Sequence, residues 1–476
     1  LSDSVTPAVA AKPLRILIGA DTFVPEINGA AIFAARLAAG MVKRGHDVHV
    51  MAPAPTRKHG SWTEVIEGEP MTVHRLYSWR WYPHPWLRFA LPWRIEQNSA
   101  RILDLVKPDV VHFQSHIIVG RGLSHQAMKR GIRIIGTNHF MPENLLEHAV
   151  IPKFIWPMAI RLAWKAASRS FARAEAVTSP TRKAADFLEK NIGHRHVIAI
   201  SCGIDMHNYT PDFTPRTQNR ILFVGRITGE KQLDKLVRAF AKLDPALKAS
   251  LELVGGGDQE GYLRQLASSL GVGNRVTITG YVEESFLRNE LTRATVFAMP
   301  SIAELQSIAT MEAMASGLPI VAANAMALPH LVHDGDNGFL FEPGNVDELA
   351  ARLTEVLTMP EVELQKLKKA SLNIVAAHDI SGTLDTFERL YRGEMVTDSV
   401  IERPLGKRAR LRAKLRELAD NFTRDSETVE TVETVETAET VGESESSESS
   451  ESSASFESSR SSEPSESSAP QDSAQR

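Results

Sequence analysis

Two glutamates eight residues apart, Glu304 and Glu312, stand in the run P-S-I-A-E-L-Q-S-I-A-T-M-E-A-M-A-S-G-L-P-I-V-A, residues 300 to 322. Apolar strand-like runs flank it, Thr295 to Met299 before and Leu318 to Ala323 after. Between them Ser307 to Ser316 reads as a helix, with Ile308, Met311 and Met314 on one face. Glu304 then sits on the loop at the carboxyl end of a strand, and Glu312 one to two turns inside the next helix. In open α/β sheets ligands bind in that crevice. The first amides of the helix, at Gln306, Ser307, Ile308 and Ala309, have no intrahelical partner and suit an anion or a hydroxyl-rich ligand. A carboxylate accepts hydrogen bonds from two neighbouring hydroxyls without a metal. Read singly, the two acids are also a loop charge and a solvated helix charge.

Three further clusters point to the same chemistry. Asn28-Gly29-Ala30 lies between the first strand and the first helix, where glycine lets a phosphate approach the backbone; alone, N-G is equally a plain turn. V-G-R-I-T-G-E-K, residues 224 to 231, puts Arg226 and Lys231 just past a strand end. An arginine fork and a lysine point charge neutralise a diphosphate, or are two surface bases. G-T-N-H-F-M-P-E, residues 136 to 143, puts His139 past another strand end, facing a cleft or capping its own loop. In H-D-G-D-N-G-F-L-F, residues 333 to 341, Asn337-Gly338 reads as a tight hairpin turn. That turn context argues against a metal pair at D-G-D.

These clusters must be positioned by a doubly wound α/β framework. L-R-I-L-I-G, residues 14 to 19, is a buried strand; Ala30 to Arg44 is a helix stopped by Gly45; Asp47 to Met51 is the next strand. Further strands are expected near Val73 to Leu76, Asp109 to Phe113, Ile132 to Thr137, Ala176 to Thr178 and Val197 to Ile200. Pro211 to Asn219 is a polar, proline-bearing linker. A second α/β pattern begins at Arg220, with strands at Leu251 to Val254, Val276 to Thr279, Thr295 to Met299 and Pro319 to Ala322. The expected organisation is two Rossmann-like domains, residues 14–210 and 220–380, a helix at 381–398 returning to the first domain, a basic segment at 399–425 and an acidic tail at 426–476. Two such domains facing each other leave an interdomain cleft.

The chain has 476 residues, 43% of them hydrophobic, enough for two cores. Its single cysteine, Cys202, excludes an internal disulfide and suggests a reducing compartment. No apolar run reaches bilayer-spanning length. Leu1 to Pro13 lacks the pattern of an export signal and reads as a disordered lead-in. The net charge of −4 hides an asymmetry: residues 426 to 476 carry 13 acidic and 2 basic groups, a net of −11, which leaves +7 for the rest. The T-V-E and S-S-E repeats of that tail are too poor in apolar residues to offset chain entropy and should be disordered. All seven tryptophans (Trp62, Trp79, Trp81, Trp86, Trp93, Trp156 and Trp164) precede residue 165. Four fall in residues 78 to 94 among Arg80, Arg88 and Arg94, and Lys153 to Arg173 adds five bases among apolar residues. Tryptophan with arginine suits a headgroup zone, or the aromatics fill the first core. Arg403 to Leu418 is basic and weakly amphipathic. No nucleic-acid recognition motif accompanies the bases.

Asn28-Gly29, Thr137-Asn138-His139, Arg226 with Lys231 and the paired glutamates, in this order over roughly residues 14 to 395, resemble the retaining glycosyltransferases of family four, which have the GT-B fold. The resemblance implies transfer of a sugar from a nucleotide diphosphate with retention. It implies that Arg226 and Lys231 hold the diphosphate, Glu304 grips donor-sugar hydroxyls, Glu312 holds the ribose, His139 lies near the sugar and Gly29 closes on the phosphates, with no obligatory metal or other cofactor. Asn28, Gln306, Ser307 and Ile308 join the donor-binding set. Ser307 departs from the glycine usual in the family. Within the family the glutamate region is similar to enzymes that glycosylate diacylglycerol-type lipids and to actinobacterial GDP-mannose-dependent mannosyltransferases. That similarity implies mannose transfer to a membrane glycolipid such as glucuronosyl-diacylglycerol in lipomannan-like synthesis, peripheral on the inner face of the plasma membrane. A UDP-glucose-dependent diacylglycerol glucosyltransferase, a GT-B epimerase and a non-catalytic membrane adaptor are the alternatives.

Overall fold

A computed structural model describes residues 12–80, 88–141, 152–193 and 196–399. The expectations for the lead-in before residue 12, for Trp81 and Trp86, for the basic segment 403–418 and for the acidic tail lie outside the described residues.

The first domain is built on an eight-stranded sheet. Its strands are β1 (Arg15–Gly19), β2 (Asp47–Pro53), β3 (Gly60–Ile66), β4 (Glu69–Leu76), β7 (Val110–Phe113), β8 (Arg133–Thr137), β9 (Ala176–Ser179) and β10 (Ile198–Ala199), while β5 (Ser78–Arg80) and β6 (Arg88–Ala90) form a separate antiparallel ribbon. The sheet order is β10-β9-β8-β7-β1-β2-β4-β3, parallel except for β3 against β4. The strand β3, absent from the sequence reading, alternates exposed and half-buried residues, as an edge strand with one wet face does. The helices of this half are α1 (Gly29–Lys43), α2 (Ile95–Val106), α3 (Val119–Lys129), α4 (Trp156–Phe171) and α5 (Arg182–Ile192).

The second domain has six parallel strands, β11 (Arg220–Val224), β12 (Ser250–Val254), β13 (Val276–Gly280), β14 (Val296–Met299), β15 (Ile320–Ala323) and β16 (Gly338–Phe341), in the order β13-β12-β11-β14-β15-β16. Helices α6 (Leu233–Ala241), α7 (Glu260–Ser269), α8 (Glu284–Arg293), α9 (Ile308–Ala315), α10 (Leu328–Leu331), α11 (Val346–Thr358) and α12 (Glu361–Val375) accompany it. One turn reading is corrected here. Asn337-Gly338 is no hairpin: Gly338 opens β16, which runs parallel to β15. The Asn337 side chain is fully buried, donating to the Leu331 carbonyl and accepting from the His333 amide. A Cβ on Gly338 would lie 1.8 Å from the Ile320 carbonyl, so close backbone approach, not a tight turn, is what requires glycine.

After α12 the chain crosses back. Helix α13 (Ile380–Tyr391) packs on α1, where a Cβ on Gly40 would meet the Leu384 side chain at 2.6 Å. Arg44 of the first domain pairs with Asp385 and Glu388. The two domains thus share one continuous apolar core running from Ile16 and Phe33 to Phe297, Phe387 and Tyr391.

Candidate active site

Both sheets have a topological switch point where neighbouring strands lead off in opposite directions. In the second domain it lies between β11 and β14, in the first between β1 and β7. The loops after β1, β11 and β14 and the loop after β8, which bears His139, carry the sequence clusters, and they face one another around a cavity of about 570 Å³. Asn28, Gly29, His139, Arg226, Lys231, Glu304, Gln306, Ser307, Ile308 and Glu312 all line it. A Cβ on Gly29 would lie 3.8 Å from Ile308 Cδ1, so the starts of α1 and α9 meet across the cleft. A cavity of this size holds a molecule well beyond a simple anion.

The cationic wall comes from the loop after β11. Arg226 Nη2 donates to Glu230 Oε1 at 3.1 Å, and Lys231 Nζ pairs with Glu304 across the switch point. Glu230 is buried. Burial pushes its carboxyl up, but Arg226, the Thr228 hydroxyl and Lys231 outweigh that and hold it below the ordinary glutamate range. The Glu230 carbonyl accepts from the Ile302 amide at 3.1 Å, which stitches the Arg226–Lys231 loop to the glutamate loop. Both loops are therefore fixed relative to each other before any ligand arrives.

Glu312 differs from the solvated helix charge that spacing alone allows. Helix α9 is buried on every side, because apolar residues surround it and the sheet lies beneath. Glu312 Oε1 accepts from Arg36 Nη2 of α1 at 3.1 Å, and the Tyr209 hydroxyl joins the pair. Arg36 Nη1 is buried without a hydrogen-bond partner among the described residues. Arg36 and Tyr209 also line the cavity. Neither is visible in sequence as a site residue, since an arginine in an alanine-rich helix reads as its solvent face.

Three predicted binding groups turn out to do structural work with their side chains. Asn28 is the N-cap of α1: its Oδ1 accepts from the Ala31 amide at 2.9 Å and from the Thr22 hydroxyl at 3.2 Å. Gln306 is buried, its Oε1 accepting from the Cys202 amide at 2.7 Å and its Nε2 donating to Ser201 Oγ at 2.9 Å. These bonds anchor the glutamate loop to the crossing between domains. Ser307 caps α9 through Thr310, with φ at +78°, a left-handed conformation that glycine adopts freely and serine does not. The departure from glycine at this position therefore falls where glycine would be strain-free.

His139 is half-buried against the Phe33 ring, centroids 4.8 Å apart. Its Nε2 lies 2.9 Å from Gln114 Oε1. Desolvation by burial pulls the imidazole down to about 3, so it is neutral. Two acids on the first-domain side went unnoticed in the sequence. Asp21 is buried and accepts from the Ile118 and Val119 amides at the start of α3; desolvation raises its carboxyl. Glu26 is pushed up to about 7 by burial, which outweighs the attraction of Arg75 and Arg88. Both line the cavity.

A two-domain α/β protein with cations at one switch point, carboxylates beside them and a second domain closing over both can bind a molecule that is anionic at one end and polyhydroxylated at the other. Residues 27–208 match the family model Glycosyltransferase Family 4, and residues 211–373 match Glycosyl transferases group 1. The chain belongs to this glycosyltransferase family, with the GT-B arrangement of two Rossmann-like domains, and is a hexosyltransferase.

Among its relatives is an uncharacterized glycosyltransferase of Methanocaldococcus jannaschii, 35% identical over 30% of this chain and 36% of that protein. The alpha-monoglucosyldiacylglycerol synthase of Acholeplasma laidlawii is 24% identical over 73% of this chain and 89% of that one. A GDP-mannose-dependent alpha-mannosyltransferase of Mycolicibacterium smegmatis is 26% identical over 69% and 84%. Anabaena HepE, solved with UDP-glucose, shares the fold at a TM-score of 0.64 and 18% identity, covering 80% of this chain and all of that one.

Proposed function

We propose that the protein is a retaining hexosyltransferase that moves mannose from GDP-mannose to a membrane glycolipid such as glucuronosyl-diacylglycerol, at the inner face of the plasma membrane. The single observation that carries the reading is the convergence of Arg226, Lys231, Glu304 and Glu312 on one cavity between the domains. Relatives named for lipid glycosylation and for GDP-mannose support the donor and acceptor classes.

The donor's diphosphate lies against Arg226, Lys231 and the first amides of α9, its sugar against Glu304 and its ribose against Glu312. As the glycosidic bond breaks, negative charge grows on the departing diphosphate. Fixed cations and helix-start amides stabilise that charge without reorganising. The acceptor attacks from the same face, and the leaving phosphate takes its proton. The reading requires neither a protein nucleophile nor a metal.

The acceptor side is supported by the surface of the first domain. No helix among the described residues is long and apolar enough to cross a membrane. On α4 and the turn before it, Phe154, Met158 and Leu162 are more than half exposed, four residues apart. Arg161, Lys165 and Arg169 are exposed beside them, and residues 153 to 173 contain no acid. Such a stripe suits an anionic headgroup layer. The tryptophans divide: Trp79 and Trp93 are about two-thirds exposed, whereas Trp164 is buried in the first domain's core.

The test incubates the enzyme with radiolabelled GDP-mannose or UDP-glucose and a lipid extract. An organic-soluble product from GDP-mannose is expected. Product from UDP-glucose alone selects the glucosyltransferase alternative, a water-soluble isomer selects an epimerase, and no turnover with any donor sinks the reading. Flotation with anionic vesicles at low salt tests the surface: Leu162→Asp should abolish co-flotation if α4 docks.

A further inference from the structure

We infer that Gln114 is a positioning residue that locks His139 in its Nε2–H tautomer, so that Nδ1 is the ring's free acceptor for a hydroxyl of the bound sugar. The functional half rests on the proposed place of His139 beside the donor sugar.

Gln114 follows β7 directly, and its amide is held between two histidines. Its Oε1 lies 2.9 Å from His139 Nε2, and its Nε2 lies 3.3 Å from both ring nitrogens of His112. An amide nitrogen equidistant from both sits over the ring face, where its hydrogens meet the electron-rich π surface. Turning the amide over would place its carbonyl oxygen on that surface. The oxygen therefore faces His139, and an oxygen can only accept. The hydrogen must be on His139 Nε2. Nδ1 then has no proton, and it makes no hydrogen bond among the described residues.

The lock is anchored well away from the cavity. His112 Nδ1 is 2.6 Å from the Tyr391 hydroxyl on α13, and His112 Nε2 is 2.6 Å from Thr137 Oγ1, which is itself 2.6 Å from Thr178 Oγ1. This fully buried chain fixes the His112 ring, the ring fixes the Gln114 amide, and the amide fixes His139. Helix α13, delivered to the first domain by the crossing after α12, supplies the far end. Among the described residues His139 packs on neutral groups: α1 presents Phe33, and the residue after β7 is Gln114, with neutral His112 behind it. The charged groups around the shared cavity are Asp21, Glu26, Arg36 and Glu67 on the same side and Arg226, Lys231, Glu284, Arg288, Glu304 and Glu312 on the other.

Three variants and one spectrum decide it. In enzyme labelled with 15N-histidine, the expected spectrum shows His139 with a protonated, pyrrole-like Nε2 and a pyridine-like Nδ1. Gln114→Leu should mix the tautomers and lower kcat about tenfold, the loss of one hydrogen bond, with donor Kd near that of the parent. Gln114→Glu keeps the shape but puts a carboxylate beside the ring and favours the imidazolium, whose Nδ1–H cannot accept. Its kcat should rise with pH across the range where the parent is flat. A parent spectrum with the proton on Nδ1 overturns the inference, as does a Gln114→Glu profile as flat as the parent's. If His139→Ala is fully active, the reading of the site fails and takes the functional half with it, while the spectrum still decides the tautomer. If His139→Ala is impaired and both Gln114 variants match the parent, the reading stands and this inference falls.

Discussion

Replacing Arg36 by glutamine removes the cation that the first domain extends to Glu312. The pair is 3.1 Å long, and its side chains retain only 18% and 9% of their exposure. Removing one partner of a buried pair costs about 3–5 kcal/mol, because the survivor keeps an uncompensated charge. Water still reaches the arginine side, which places the loss near the lower end, about 3 kcal/mol. Glu312→Gln should cost a similar amount, since Arg36 already has one buried nitrogen without a partner. In the double variant two neutral amides face each other, so the losses should not add; a coupling of about 2 kcal/mol is expected. The assay is thermal and urea unfolding of the four proteins in the double-mutant cycle. At about 2.1 cal/mol/K of unfolding entropy per residue, a cooperative unit of roughly 370 residues shifts by about 1.3 °C per kcal/mol, so each single variant should melt about 4 °C below the parent. Glu312→Gln should also weaken GDP binding more than Arg36→Gln does, if the ribose is held by this carboxylate. Strict additivity, or single variants as stable as the parent, would refute the argument that α1 and α9 are tied across the cleft by this pair.

Lys231→Ala should lower turnover by a factor of about 10²–10³ and change donor affinity far less, because the charge it meets develops in the transition state; single-turnover kinetics with labelled donor checks this, and equal loss in both would contradict it. Glu26 is raised from 4.5 to about 7 in the folded protein, so between those values the folded state holds a proton that the unfolded state has released. Its contribution is therefore fully present below pH 4.5 and declines as pH rises towards 7, by at most about 1.4 kcal/mol per pH unit. Glu26→Gln should flatten that part of the stability–pH curve, as urea midpoints at several pH values would show. Ser307→Gly should stabilise by about 1 kcal/mol, since relief of the left-handed strain at about 1–2 kcal/mol exceeds the few tenths lost with the cap; a lower melting temperature would mean that the Thr310 contact dominates.

The parallel strands other than β16 were legible because each is a short apolar run ending in a loop, and burial on both faces leaves no other pattern. The loop motifs were legible for a related reason: Arg226, Lys231 and Glu304 each stand in the segment between a strand's carboxyl end and the next helix, so local order already aims them at one end of their sheet. Strand β3 escaped because its half-wet alternation, broken by Glu64 and Thr63, does not look like a strand of a buried sheet. The Asn337-Gly338 reading failed because the same dipeptide serves a hairpin or a close parallel crossing, and only the neighbouring strand distinguishes them.

What the chain determined by itself is the set of elements and the residue types at their carboxyl ends, for these follow from periodicity over a few residues. What only the tertiary structure decided is who neutralises whom. Arg36 meets Glu312 across 276 positions, and His112 meets Tyr391 across 279. A helix start that looks like a phosphate loop takes Asn28 for its cap, and Gln306 turns away to hold the crossing between domains. The physical reason is that hydrogen bonds and ion pairs depend on distances of a few ångström set by how two domains dock. Local patterns constrain faces and periods, and leave those distances undetermined.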